Sequence, residues 1–200
     1  MKKKLSFLAS LLCLLSLNSY GKHIRVIWTK DPAHCSTIIW TTSKKTKSNS
    51  IFISQNRNDI VKSQEKVRIF AEKNFRYKRG KEYSHHVTVR NMVPNTRYYF
   101  RTVSDKETSD IYYFKSAPSS PNDSFELLFG GDSRSYRENR IAINQKIQQT
   151  FENNPQIIAL VHGGDFTADG DSWKQWLMYS ILFNLDVQVI NTHSNPNPNP

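Results

Sequence analysis

The strongest constraint on this chain is a two-residue rhythm repeated in seven short runs between His23 and Lys115. The runs cover 23–29, 37–42, 50–54, 67–70, 86–90, 97–103 and 111–115, and β-branched and aromatic residues dominate them. Successive side chains on a strand point to opposite faces, so a period of two buries one face and leaves the other wet. Nothing in this half shows helical spacing. Seven such runs joined by polar turns, over about 95 residues, predict a two-sheet β-sandwich.

Charge divides the chain where this pattern stops. Residues 22–115 hold 20 basic and 8 acidic side chains, net +12, whereas residues 118–200 hold 5 and 9, net −4. Two segments of opposite sign predict two units with different work. The break falls in Ala117-Pro118-Ser119-Ser120-Pro121-Asn122-Asp123-Ser124, which has two prolines and three serines. Many cations of the first unit (Lys44, Lys45, Lys47, Lys73, Arg76, Lys78, Arg79, Lys81) scatter along predicted solvent faces. Without a recognition helix or an aromatic base-stacking platform they do not point to nucleic acid. They describe a basic face able to meet an anionic polymer or membrane surface. His85 and His86 are neighbours on one predicted strand and face opposite ways, so packed or capping roles are expected of them.

Ahead of the sandwich, Lys2, Lys3 and Lys4 precede an apolar run over 5–17. Ser19-Tyr20-Gly21 then puts small residues at the two positions a signal peptidase inspects. The run is shorter than the roughly 20 apolar residues a membrane span needs. Residues 1–21 are therefore expected to be a signal peptide, with cleavage near Gly21 and a periplasmic or extracellular destination. Cys35 would then be the remaining thiol, which excludes an intrachain disulfide and suits a small buried hydrophobe.

Beyond Ser124 the rhythm changes. Phe125-Glu126-Leu127-Leu128-Phe129 and Gln156-Ile157-Ile158-Ala159-Leu160-Val161 are near-continuous apolar runs, the kind buried on both faces of a parallel sheet. A helical pattern over 138–153 lies between them, with Ile143, Ile147 and Phe151 spaced for one face. A further one over 172–183 carries Trp173, Trp176, Leu177 and Ile181. Strand, helix, strand predicts a right-handed βαβ unit whose two strands end at the same sheet edge. Those ends read Gly130-Gly131-Asp132 and Gly163-Gly164-Asp165. The glycines allow a sharp turn and leave room beside each carboxylate.

Two carboxylates brought together repel unless a cation lies between them. Hard divalent or trivalent metals suit such pairs, and two metals roughly 3.5–4 Å apart are the arrangement for phosphoester hydrolysis. The same aspartates also fit ordinary turns that cap following helices, and Asp169 and Asp171 fit that role ahead of Trp173. His162 has the plain reading of a strand-end histidine.

Two resemblances sharpen this picture. Val93-Pro94-Asn95-Thr96-Arg97-Tyr98 resembles the leucine-x-proline-x-threonine-x-tyrosine turn of fibronectin type III domains, with Val93 standing for the leucine. There a tyrosine hydroxyl ties the corner to the backbone. Gly131-Asp132-Ser133-Arg134 and Gly164-Asp165-Phe166-Thr167-Ala168-Asp169 resemble the first two motifs of the calcineurin-like metallophosphoesterases. The preceding sandwich, with Ser84-His85-His86-Val87-Thr88-Val89 and the Pro94 turn, resembles the N-terminal domain of purple acid phosphatases. The resemblance runs to about Val189. It implies an all-β, fibronectin III-like sandwich over 22–117, a linker over 118–124 and the first part of an α/β metallophosphoesterase domain over 125–190. It further implies that Asp132 ligates a first metal and Asp165 bridges two, iron paired with zinc, manganese or iron. In the family that pair generates a hydroxide that attacks phosphorus in line, with phosphate monoesters as the usual substrates.

The chain departs from the family in three places. Arg134 stands where many relatives have a ligating histidine, and the resemblance leaves it a contact with a substrate phosphate oxygen. Ala168 replaces the tyrosine that colours the purple enzymes, which removes the basis for preferring iron. Past residue 190 the glycine-asparagine-histidine-acid motif and the later histidines do not follow. Residues 191–200 are an asparagine-proline tail unsuited to a central strand, and His193 lacks the flanking motif. The expectation is an acid-phosphatase-like chain that is short of metal donors, inactive alone and exposes apolar edges. The competing expectation is an exported sandwich that binds an anionic surface or polymer, beside a vestigial catalytic half.

Overall fold

A computed structural model of the chain describes residues 21–28, 30–77, 81–132, 136–165 and 189–191. The alternating half forms nine strands: β1 Lys22–Ile27, β2 Ser36–Thr42, β3 Asn49–Ser54, β4 Arg68–Phe70, β5 Lys73–Arg76, β6 Tyr83–Val89, β7 Arg97–Ser104, β8 Glu107–Thr108 and β9 Tyr112–Lys115. They build two antiparallel sheets, one ordered β1-β2-β6-β5 and the other β4-β3-β7-β8, with β9 also paired to β7. The period of two decides what lies between them. Ile38 and Trp40 from β2, Val87 and Val89 from β6, Ile51 and Ile53 from β3, and Tyr98 and Phe100 from β7 form one core with Phe114.

A polar bridge crosses that core. Trp40 Nε1 donates to Ser104 Oγ at 2.9 Å, and Ser104 Oγ donates to Asn49 Oδ1 at 2.8 Å. Burial without partners would be costly for each of these groups, and the bridge meets the need. The chain enters beside it: a Cβ at Gly21 would lie 2.6 Å from Thr102 Oγ1 and 3.0 Å from Trp40 Cδ1, closer than such contacts allow.

The tyrosine corner forms with a shift of one place. Tyr98 Oη accepts from the Val93 backbone N–H at 2.8 Å. Met92, only 3% exposed, fills the leucine's place in the core, while Val93 is 52% exposed. The motif's leucine precedes proline by two residues, so Met92 and not Val93 is its counterpart. The short helix α1 (Arg57–Val61) was not expected from periodicity, since five residues carry no period. Asn56 caps it by accepting from Asn58 N, and its Ile60 covers Phe52 and Val103 on the outer face of the second sheet. Cys35 is half-buried, not buried as expected.

The second half forms β10 Glu126–Gly130, α2 Arg137–Asn153, β11 Ile157–His162 and β12 Val189–Asn191, with the three strands parallel in the order β10-β11-β12. Leu128, Ile147, Phe151, Ile157 and Leu160 pack between α2 and the sheet. Two expectations fail here. Ile143 is 59% exposed, and Asn144 on the next position is buried in its stead. The inward face of α2 therefore runs through Asn144, Ile147 and Phe151. The β10 strand is also not buried on both faces: Phe125 and Leu127 are exposed and Phe129 is 77% exposed. Lys115 Nζ donates to Pro155 O at 3.1 Å, a link between the two halves. Among the described residues, no helix is long and apolar enough to cross a membrane.

Candidate functional site

Parallel pairing with Gly130 opposite His162 brings both Gly-Gly-Asp turns to one edge of the small sheet. Two backbone hydrogen bonds join the turns. Gly163 N donates to Gly130 O at 2.7 Å, and Asp132 N donates to Gly164 O at 3.1 Å. The backbone of Asp132 is thus bonded to the residue immediately before Asp165.

Both aspartates adopt left-handed backbone, φ 50° for Asp132 and 57° for Asp165, and Gly164 lies between them in the chain of contacts at φ 115°. Aspartate tolerates that region better than most residues, and at Gly164 glycine is required by the angle itself. Such turns carry local strain that the surrounding bonds must hold.

His162 closes β11 directly beneath the edge. It is buried, and its Nδ1 accepts from Gly164 N at 3.3 Å. Burial holds its pKa below the ordinary histidine range, the nearby Arg140 guanidinium adds to that, and Asp165 opposes it. A neutral ring with its proton on Nε2 satisfies this contact. Asn191, at the end of β12, stands in register with His162, so a third strand end reaches the same edge.

The residue types suit a hard cation, because two carboxylates on adjacent strand ends offer oxygen donors. They do not make up a two-metal donor set: among the described residues, no group of three or more His, Cys, Asp or Glu side chains gathers to hold a metal. Arg134, Ala168, Asp169, Asp171 and His193 lie outside the described residues. Periodicity gave no sign of Arg140 as a neighbour of His162, because a lone arginine on a polar helix carries no spacing signal.

The fold and this edge define a class: an antiparallel sandwich followed by a parallel βαβ unit with paired Gly-Gly-Asp turns. Residues 22–116 match the family model of the purple acid phosphatase N-terminal domain. The solved structure of PhoD overlays with a TM-score of 0.53 at 10% identity, over 87% of this chain and 39% of the PhoD chain. The chain therefore spans less than half of PhoD, and the likeness is one of fold. A sensor domain of the anti-sigma factor RsgI4 from Pseudobacteroides cellulosolvens matches at TM-score 0.33 and 14% identity, over 48% of this chain and 94% of its own. Astrotactin-2 matches at TM-score 0.38 and 11% identity, over 80% of this chain and 28% of its own. Neither of these two likenesses bears on function. No curated protein matches the chain.

Proposed function

We propose that this chain follows the plan of a metal-dependent phosphomonoesterase, with Asp132 and Asp165 as metal ligands at the carboxyl edge of β10 and β11. The observation that carries the reading is the pair of backbone bonds joining the two Gly-Gly-Asp turns. They bring two carboxylate-bearing turns together at the sheet edge where parallel α/β units place their sites. The sandwich's match to that family model supports a phosphatase relationship. When bound, the metals would supply a hydroxide and neutralise charge on the phosphoryl oxygens. The protein's own part is to hold the two aspartates, both solvent-exposed, in fixed turns. Iron with zinc, manganese or iron is the cofactor set of this plan, Arg134 its contact to a phosphate oxygen, and an exported location its setting. With two carboxylates at the edge among the described residues, hydrolysis by this chain alone should be absent or very slow.

The test is Zn²⁺ and Mn²⁺ titration of the chain by calorimetry, with p-nitrophenyl phosphate turnover measured alongside. Binding of one cation that is lost in Asp132→Asn and in Asp165→Asn is the expected result. Wild-type protein that binds neither metal at millimolar concentration would remove the reading.

A second reading is favoured by one feature of the sandwich. Phe75, Tyr77 and His86 cluster on the outer face of the first sheet, with ring centroids 5.8 and 5.2 Å from Phe75, and Arg25 donates to Tyr77 Oη at 3.4 Å. Burial lowers the His86 pKa, and the charges of Arg25 and Lys73 lower it further, so cations converge here. This face would hold an anionic polymer or surface. Retention on heparin that falls in Arg25→Ala with Lys73→Ala would support it, and unchanged retention would not.

A further inference from the structure

We propose that His162 is a positioning residue that sets the two aspartates through the Gly164 peptide; this rests on the reading of Asp132 and Asp165 as metal ligands. Three consecutive links make the connection. The imidazole Nδ1 accepts the Gly164 N–H at 3.3 Å. The carbonyl of the same glycine accepts the Asp132 N–H at 3.1 Å. Asp165 follows Gly164 directly in the chain. One peptide unit is therefore gripped from below by a buried ring and joined to both carboxylate-bearing residues.

The grip has something to hold. Asp132, Gly164 and Asp165 all lie at positive φ. Backbone in that region persists where neighbouring contacts over-determine it. Among the described residues, nothing fills the space a Cβ would take at Gly164, so packing there is not seen to fix the turn. Hydrogen bonds are fixed points of this turn, and His162 provides one of them from the end of β11. Its own place is secure, because it ends β11 opposite Gly130 and is buried there. Groups behind metal ligands act in this way, and their loss commonly weakens metal affinity by about 10–100-fold.

The competing role is direct ligation through Nε2. The two roles separate by substitution. Asparagine places an oxygen acceptor close to the Nδ1 position and nothing at the far side of the ring. Glutamine reaches the Nε2 position instead.

The experiment uses the full chain, with Zn²⁺ alone as the probe and amide hydrogen exchange followed by NMR. In His162→Ala, exchange at Gly164 and Asp132 should accelerate together by about tenfold, the loss of one modest hydrogen bond, and Zn²⁺ binding should weaken by about 10–100-fold. His162→Asn should restore both and His162→Gln neither, with the sandwich amides unchanged as the folding control. Rescue by glutamine and not asparagine would overturn the proposal in favour of ligation. Wild-type Zn²⁺ affinity in all three variants, with binding still lost in Asp165→Asn, would overturn the proposal and leave the metal reading standing. Failure of the wild-type chain to bind Zn²⁺ would remove the metal reading and the proposal together, whatever the exchange pattern.

Discussion

His85 should make the sandwich sensitive to acid, by an amount that its surroundings fix. The ring is buried against Trp40, with centroids 5.3 Å apart, and its nitrogens meet Thr42 Oγ1 at 2.9 Å and Asn74 Oδ1 at 2.7 Å. Burial, with the neighbouring His86 adding to it, pushes the His85 pKa from 6.5 down to about 4, against a small opposing pull from Asp105. The unfolded chain takes up the proton near 6.5 and the folded chain only near 4. Between those values the unfolded state binds more protons, so stability must fall as the pH falls. It is full above 6.5, declines by about 1.4 kcal/mol per pH unit, and levels off below 4, a total of about 3 kcal/mol. Urea melts of wild type and His85→Gln at intervals from pH 7 to 4 give the two slopes. The variant loses packing and hydrogen bonds, so its intercept will drop at every pH. The slope is the informative quantity, because His23, His86 and His162 contribute equally to both proteins. A wild-type slope steeper than the variant's by about 1.4 kcal/mol per unit between pH 6 and 4.5 is expected. Parallel slopes, or an NMR titration placing His85 above 6, would refute the argument.

Three further outcomes follow from particular contacts. Tyr98→Phe removes the acceptor of Val93 N–H and should cost about 1–2 kcal/mol, seen as a Tm lower by roughly 4–8 °C per kcal/mol for a domain this size. In protein that retains Gly21, Gly21→Ala forces a methyl onto Thr102 and Trp40 and should destabilise the sandwich by about 1–3 kcal/mol in the same melts; a change within error would mean that the entry segment yields freely. Phe129→Ser should leave stability within about 0.5 kcal/mol, because the side chain is mostly exposed, while reducing dye binding to apolar surface and aggregation on storage.

Legibility followed the period. All seven runs with alternation became strands within a few residues of their expected limits, because a half-buried sheet writes its inside and outside directly into the sequence. The two strands that were missed have no such signal. β5 reads Lys-Asn-Phe-Arg, is exposed along its whole length, and is held by backbone pairing to β6. β8 has two residues. On α2 the spacing of Ile143, Ile147 and Phe151 suggested a face, yet a helix turns 100° per residue, and Asn144 shares the stripe of Ile147 and Phe151 better than Ile143 does. At the edge, the two Gly-Gly-Asp turns were visible as sequence, and their adjacency followed from parallel topology. The Gly164 peptide's place between His162 and Asp132 was not visible, because hydrogen bonds to backbone leave no mark on residue spacing.

The exposed face of β10 has a topological cause that apolar content alone conceals. A βαβ unit lays its helix on one side of the sheet, and here α2 takes the side bearing Leu128 and Leu160. Phe125, Leu127 and Phe129 alternate with Leu128, so they point to the side that this helix does not reach. A run apolar on both faces is buried on both only when each face has its own layer. Among the described residues, the unit's internal core is small beside that of the sandwich. Backbone at positive φ in Asp132, Gly164 and Asp165 is therefore carried by the half whose described core is the smaller. Strain of this kind needs rigid support, and at this edge the support comes from hydrogen bonds between neighbouring strand ends more than from buried apolar area. The edge's geometry should accordingly respond to loss of a single acceptor such as His162, whereas the sandwich, fixed by interdigitated rings, should not.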